Sequence, residues 1–356
     1  MTVRAIDIQS QVITFLRFPL VMCVLFVHAN FIGMFPDEAS FRFAPQVCEF
    51  VSTRIAPIAN PFFFFLSGLL FFREGNFSWT IYRQKVSRRV HTLLLPYLLW
   101  NTIYLLLLFV GESIISGWTA IVDKPIVSFT VTDWINAFWN ISIIGHQGGL
   151  AAPVNIPFWF VRDLLVLVAL TPIFYYVLSG FRRLPQSVQN LLLLGLLMAA
   201  DWWSLWPTML ATSSLFFACG AYFGLKQTNL VVSMSRYQPA LWMSALLMFY
   251  YHCDNTAYLL VILALFPVVG KMLEKGRWNV SFLLSRGSFF VIGYHYLLLG
   301  VLLALLGRIV VTPRGEFIAL FCYVFVPLIL AFVGYLLYVV MERLCPCVLR
   351  VLTGFR

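Results

Sequence analysis

The two residues best placed for chemistry are Arg17 and His28, which lie in an otherwise mostly apolar stretch, 15–30. Such a stretch is typical of a membrane-spanning helix, where ionisable side chains are costly and usually face a protein interior or an aqueous cavity. The two residues are eleven positions apart, or about 16 Å of helix and close to three turns, which predicts that they share nearly one face. The first span is therefore a candidate active-site helix.

Each of these two residue types suggests a role. A histidine can accept a proton from a hydroxyl near neutral pH and return it later, which makes His28 a candidate general base. The planar guanidinium of Arg17 could hold a phosphate or order a neighbouring carboxylate. The alternative is structural: Arg17 extends to the membrane interface and His28 hydrogen bonds to a neighbouring helix.

Two further groups of candidates follow in the next two apolar stretches. Ser67 and Gly68 are a small pair in a phenylalanine-rich span, where they allow close approach of another helix or of a thin ligand chain. Arg88 and Arg89 precede the third span. They are either ordinary positive residues of a cytoplasmic loop or a seat for a phosphorylated ligand.

The fourth span begins with an aromatic anchor and a pair of opposite charges. Trp159 is suited to the membrane interface, and Arg162 and Asp163 either pair with each other or with Asp133, or line the mouth of a cavity shared with His28. His295 lies in the ninth span, where a lone histidine is more often a buried hydrogen-bonding group than a catalyst.

The elements that must position these residues are membrane helices. The chain has 356 residues, of which 61% are hydrophobic and 11% charged, whereas a soluble domain has about 25% charged residues. Apolar runs recur along the whole chain and predict an all-α, polytopic membrane protein with a single domain, 1–356. We predict ten spans, at about 12–32, 56–72, 90–111, 158–178, 190–206, 209–225, 238–253, 256–272, 288–307 and 317–341.

The net charge of +10 reflects orientation and does not indicate nucleic-acid binding. With the N-terminus in the cytoplasm, most of the 24 basic residues fall on the inner side, as the positive-inside rule requires, and both termini are cytoplasmic. One long outer segment, 112–157, is then of a size typical of lids and substrate surfaces. The seven cysteines show no paired framework, so we predict neither a structural disulfide nor a metal site.

Taken together, these segments resemble membrane-bound acyltransferase family 3, which includes sugar and surface-polysaccharide O-acyltransferases. The motifs follow the order of the family over about 280 residues. They are Arg17-x10-His28, Phe63-Phe-Phe-Leu-Ser-Gly68, Arg88-Arg89 with Leu95-Pro-Tyr97, Trp159-Phe160 with Leu164, and Ser288-Phe289 leading to Tyr294-His295.

The resemblance implies transfer of an acyl group, usually acetyl, from cytoplasmic acyl-CoA to a hydroxyl of a sugar or glycolipid at the outer face of a bacterial inner membrane. Arg88 and Arg89 would seat the CoA phosphates. The pantetheine arm would pass Ser67, Gly68 and Arg17, and His28 would act as general base or as a transient acyl carrier. Trp159 and Arg162 would shape the acceptor side.

Other points stay open at the level of sequence. The spacing of tyrosine and histidine near the end is tighter than the family pattern, so His295 receives no catalytic role. Asp163, Asp133 and Asp201 are the candidates for orienting His28. A transporter or flippase of an anionic lipid-linked sugar would also use an intramembrane histidine and arginine, and a structural subunit of an envelope complex would use neither. The acyl acceptor and the oligomeric state are not predicted.

Overall fold

The fold is entirely helical in the residues that the computed structural model describes, which are 2–30, 41–114, 124–144, 151–202, 209–309 and 316–355. These residues contain no β-strand, so the predicted all-α class is confirmed. The helices are α1 Thr2–His28, α2 Ala44–Phe50, α3 Ala59–Phe71, α4 Trp79–Arg89, α5 Leu95–Ile114, α6 Val131–Trp139, α7 Trp159–Ala169, α8 Thr171–Phe181, α9 Gln186–Trp202, α10 Met209–Leu225, α11 Leu230–Ser233, α12 Gln238–Tyr250, α13 Asp254–Glu274, α14 Phe282–Ile309, α15 Glu316–Leu344 and α16 Pro346–Leu352.

Several of these helices are long and apolar enough to cross a membrane, which makes the chain a polytopic membrane protein. Six such segments occur within the described residues. They are Ile8–His28, Ala44–Phe71, Trp79–Ile114, Asp254–Glu274, Phe282–Gly300 and Glu316–Leu344. A seventh is formed if α7 and α8, which meet at 64°, are one bent span. Pro172 stands at the start of α8, where its ring is tolerated but prevents a straight continuation from α7.

The predicted count of ten spans is not confirmed. Three of the predicted spans coincide with α9, α10 and α12, whose lengths are 17, 17 and 13 residues. At 1.5 Å per residue α12 extends about 20 Å, short of the ~30 Å hydrocarbon layer, whereas α9 ends and α10 begins at the edge of the described residues. Hydropathy alone does not report where a helix ends, so short and long apolar helices look alike in the sequence.

The chain divides into two compact units that are both discontinuous in sequence. The first unit comprises Met1–Val27, Glu49–Lys85 and Val166–Arg286. The second unit comprises His28–Cys48, Val86–Leu165 and Gly287–Arg356. The predicted single domain, 1–356, stays a prediction.

Glycines allow the closest helix packing in the first unit, between α3 and α10. A Cβ atom added at Gly68 would lie 2.1 Å from the backbone oxygen of Phe217, and one added at Gly220 would lie 1.9 Å from that of Phe65. Neither distance is sterically possible, so only glycine permits this backbone contact. Small residues serve the same purpose at many helix interfaces in membranes.

In the second unit, part of the predicted outer segment packs on α5. Tyr104 and Leu105 of α5 form a buried cluster with Ile126, Ala137 and other apolar residues of the segment. Asp123, His146 and 147–149 of the predicted outer segment lie outside the described residues.

Helix α6, in that same segment, begins with a capping box. The Thr130 hydroxyl accepts from the Asp133 backbone N–H, and the Asp133 carboxylate accepts from the backbone N–H of Thr130. Each side chain therefore satisfies a backbone N–H that the helix leaves unbonded. The sequence Thr-Val-Thr-Asp thus fixes where this helix starts.

Two short π-helical turns interrupt the α-helical spans. Val51–Ile55 precedes α3, and Val90–Leu94 joins α4 to α5 directly after Arg88 and Arg89. π-Helical turns are rare, and they occur frequently at functional sites.

Candidate active site

His28 is the last residue of α1 and belongs to the second unit. Its side chain is half-buried. The centre of its ring lies 5.4 Å from that of His295 and 5.7 Å from that of Tyr296, both on α14. Tyr296 in turn lies 6.0 Å from Tyr104 on α5, centre to centre. The candidate base therefore contacts one histidine and one tyrosine of α14, and Tyr104 of α5 packs behind that tyrosine.

None of the three carboxylates predicted as candidates bonds to the His28 ring in the described part of the chain. Asp163 binds Arg162, and Asp133 binds Lys124, each at 2.7 Å or less. Asp201 accepts hydrogen bonds from the start of α13, including one from the Thr256 hydroxyl at 2.6 Å. The ring neighbour of His28 is His295, to which the sequence assigned no catalytic role.

Arg17 lies on α1 in the first unit. Its Nη1 donates a hydrogen bond of 3.4 Å to the hydroxyl of Ser285, which is itself buried. Two positions earlier on the helix, the ring of Phe15 stacks on that of Trp278 at 5.1 Å. In the described residues Arg17 has no carboxylate within ion-pair distance.

Ser67 and Gly68 lie on α3 in the first unit. The Ser67 hydroxyl donates to the backbone oxygen of Phe63, one turn earlier, at 2.8 Å. The face of Gly68 is occupied by the backbone of α10. This contact favours the packing interpretation for Gly68 and leaves the ligand route past Ser67 and Gly68 a prediction.

Arg88 and Arg89 end α4 and belong to the second unit. Arg88 is exposed and Arg89 is half-buried. Among the described residues neither forms an ion pair. The seat for a phosphorylated ligand at these two arginines stays a prediction.

The buried side chain of Arg162 forms hydrogen bonds to several parts of the second unit. Its Nε and Nη2 donate to Asp163 Oδ1 at 2.9 and 2.7 Å, which confirms the predicted alternative that the two residues pair with each other. Its Nη1 donates to the backbone oxygens of Trp139 and Ala151 at 2.6 and 2.7 Å. Four donor contacts commit this guanidinium to the protein. Trp159, the first residue of α7, is half-buried.

Asn155 is a site-supporting residue that the sequence analysis missed. It is fully buried, and its Nδ2 donates to the Gly293 backbone oxygen at 3.1 Å, two residues before His295. Its backbone N–H donates to Asn101 Oδ1 on α5 at 3.0 Å. Asn155 therefore ties α14 and α5 to the segment that leads into α7. Its surroundings, Val-Asn-Ile-Pro, carry no periodic signal that would single it out.

The predicted site residues thus divide between the two units. Arg17, Ser67 and Gly68 belong to the first, whereas His28, Arg88, Arg89, Trp159 and Arg162 belong to the second. Among the described residues of the second unit, His295 and Tyr296 make ring contacts with His28, and Tyr104 contacts Tyr296. The described ranges contain no group of three His, Cys, Asp or Glu side chains that could hold a metal ion.

The helical membrane fold and the motif residues together define a class, and comparison with known proteins identifies it. A family model described as an acyltransferase domain matches residues 11–336. The chain therefore belongs to membrane-bound acyltransferase family 3, and it is a membrane acyltransferase.

A similar protein is the succinoglycan biosynthesis protein ExoH of Rhizobium meliloti (strain 1021). The two are 24% identical over 369 aligned positions, which cover 98% of this chain and 92% of the relative. No solved structure matches the chain.

Proposed function

We propose that this protein transfers an acetyl group from cytoplasmic acetyl-CoA to a hydroxyl of a polysaccharide or glycolipid at the outer face of a bacterial inner membrane. The observation that carries the proposal is His28, which ends the first span of an acyltransferase-family chain and faces His295 and Tyr296. In this reaction His28 is the general base. The donor, the acetyl group and the role of His28 are our inference.

The chemistry needs one proton acceptor. His28 takes the proton of the acceptor hydroxyl while the hydroxyl oxygen attacks the thioester carbonyl carbon. A new C–O bond forms and the C–S bond breaks. The proton held by His28 passes to the departing sulfur, so that free CoA leaves as the thiol and His28 returns to its neutral form.

The charges that support the donor side are Arg17, Arg88 and Arg89, for which the described residues offer no carboxylate. CoA carries several phosphate groups, which arginine binds through paired N–H donors. Arg88 and Arg89 hold the phosphates in our proposal. Arg17, on the same helix as His28, guides the pantetheine arm past Ser67 and Gly68.

The proposal for the acyl acceptor is supported by the similar protein ExoH and by the residues at the start of α7. The relative is named for the biosynthesis of succinoglycan, so a polysaccharide or its lipid-linked precursor is the acceptor class that we propose. Trp159 provides an aromatic face for a sugar ring. Arg162 holds Trp139 and Ala151 in place and thereby shapes this side without a free donor array of its own.

The test uses purified protein with acetyl-CoA and succinoglycan-type oligosaccharides, with thiol release and CoA binding measured separately. We expect the wild type to bind acetyl-CoA and release thiol, and His28→Ala to bind it with at least a hundredfold lower turnover, since general-base catalysis contributes about 10²–10⁴-fold. His252→Asn is the matched control, because His252 has a φ of 59° that asparagine tolerates.

Two results would contradict the proposal. Equal turnover by wild type and His28→Ala would remove His28 from the reaction. Absence of acyl-CoA binding, together with movement of a lipid-linked sugar across vesicles that contain the protein, would favour a transporter or flippase.

A further inference from the structure

His295 is the most deeply buried ionisable group beside the candidate base. It has no exposed surface. Its Nδ1 lies 2.8 Å from the backbone oxygen of Ile292 and 3.2 Å from that of Val291. Carbonyl oxygens only accept hydrogen bonds, so Nδ1 must carry the proton, and Nε2 of the neutral ring must carry a lone pair.

That lone pair has no hydrogen-bond partner within the described residues. A buried acceptor left without a donor destabilises the fold, so such a group is seldom retained without a use. The side chains in ring contact with His295 that can donate a hydrogen bond are His28, at 5.4 Å between ring centres, and Tyr296, at 6.5 Å.

Of these two neighbours, His28 fits the lone pair better. It is the closer ring, and the planes of the two imidazoles are inclined by 47°, so they do not stack face to face. Ring centres 5.4 Å apart leave room for facing nitrogens of the two imidazoles to approach to about 3 Å, the usual distance of an N–H hydrogen bond. Tyr296 also contacts the His28 ring edge-on.

We propose that His295 is a positioning residue for catalysis: its Nε2 accepts a hydrogen bond from one nitrogen of His28, so that the other nitrogen presents its lone pair to the acceptor hydroxyl. This inference rests on the proposed acyl transfer. A histidine that is tautomerically fixed by a backbone carbonyl thus performs the orienting role that a carboxylate has in many acid–base sites.

The chemistry of the membrane explains why a histidine suits this place. A carboxylate at this depth would need a cation or several donors to offset the loss of hydration. The pair of neutral imidazoles carries no net charge at rest. When the acceptor hydroxyl gives its proton to His28, the positive charge is shared with His295 through the same hydrogen bond until the departing thiolate takes the proton.

The kinetic test compares two substitutions at position 295. His295→Gln places an amide oxygen near the position of Nε2 and keeps an acceptor, whereas His295→Leu keeps the bulk and removes it. We expect the Leu variant to lower kcat about tenfold to a hundredfold, with the KM for acetyl-CoA unchanged, and the Gln variant to recover most of kcat. His252→Asn is again the control for a substituted histidine.

A second readout does not depend on turnover. In protein labelled with nitrogen-15 at histidine, the ring shifts of His28 report which nitrogen is protonated and whether it is hydrogen bonded. We expect one bonded tautomer of His28 in the wild type and in His295→Gln, and a mixture of tautomers in His295→Leu. His28→Ala identifies the resonances by their loss.

The outcomes distinguish a failure of the positioning role of His295 from a failure of the proposed acyl transfer. One outcome is that the wild type shows no acetyl-CoA turnover while His28 has one fixed tautomer that His295→Leu abolishes. In that case the proposed donor is wrong, and the hydrogen bond between His28 and His295 is retained as an inference. If the wild type turns over and His295→Leu retains its kcat and the same His28 tautomer, the positioning role is wrong. Equal losses in the Leu and Gln variants with an unaltered His28 tautomer would also overturn it.

Discussion

Arg162 binds the carboxylate of the next residue in the chain, Asp163, through two of its nitrogens, and both side chains are buried. Adjacent helical residues do not normally face each other. The pair forms because Arg162 also reaches the backbone oxygens of Trp139 and Ala151, which turns its side chain back toward the start of α7. The guanidinium of Arg162 therefore holds the segment before α7 instead of binding a ligand.

Removal of only one member of this pair should be costly. We expect Arg162→Met to lower the free energy of unfolding by about 3–5 kcal/mol, because it leaves the Asp163 carboxylate buried without its cation. The double variant Arg162→Met with Asp163→Asn should recover part of this loss. Thermal unfolding in detergent measures the stability of the single variant and of the double variant. A double variant no more stable than the single one would show that the backbone contacts alone carry the effect.

Gly68 should tolerate no side chain. A Cβ atom there would lie 2.1 Å from the Phe217 oxygen, so Gly68→Ala must separate α3 from α10 and should cost about 1–3 kcal/mol or prevent folding. At Gly195 on α9 the corresponding position has no atom of another helix within 4 Å in the part of the chain that the structure describes. Gly195→Ala should therefore be neutral or stabilise by up to about 1 kcal/mol. Similar melting temperatures for the two variants would contradict this packing.

The arginines at the end of α4 should affect the donor and not the chemical step. We expect Arg88→Gln with Arg89→Gln to raise the KM for acetyl-CoA about tenfold or more at low salt, with kcat little changed, and the effect should shrink as salt is added. Arg83, exposed on the same helix, supplies the control Arg83→Gln. An equal rise in KM for Arg83→Gln would mean that general surface charge, and not this pair, attracts CoA.

We expect the stability of the start of α6 to depend on pH through the carboxyl group of Asp133. The Lys124 ammonium and the hydrogen bonds from Thr130 lower the pKa of its carboxyl to about 2, below its ordinary 3.8. Because the ionised form is favoured in the folded state, its contribution is present above about pH 4 and is lost as the pH falls toward 2. Hydrogen exchange in 124–144, corrected for intrinsic rates, should lose protection across this window.

Asp133→Asn provides the comparison for that measurement. The amide still accepts hydrogen bonds but carries no charge for Lys124, so protection should be lower at neutral pH and should not change between pH 4 and 2. The same titration in the wild type and in Asp133→Asn would show that another carboxyl controls this segment.

The sequence predicted the class of fold because that class depends on local signals. Apolar runs are visible one segment at a time, and they gave an all-helical membrane protein with α1, α13 and α15 as spans. The number of spans was less predictable. Helices such as α12 are apolar yet only 13 residues long, and the lengths of short helices are set by the loops and neighbours that end them.

Pairwise relationships were harder to predict because they depend on residues distant in sequence. His28 and His295 are separated by most of the chain, and no periodicity links them. Asn155 supports α14 from a stretch without regular pattern. Ser67 and Gly68 fitted both a ligand path and helix packing, because the sequence shows that a small residue is present but not what fills the space beside it.

The π-helical turn Val90–Leu94 has a consequence for how such enzymes diverge. A π turn holds one residue more than an α turn. Deleting one residue from Val90–Leu94 would replace this wide turn with an α turn of nearly the same total rotation, so Arg88 and Arg89 would keep their direction around the axis of α5. The turn can thus gain or lose one residue during evolution without redirecting the cationic end of α4.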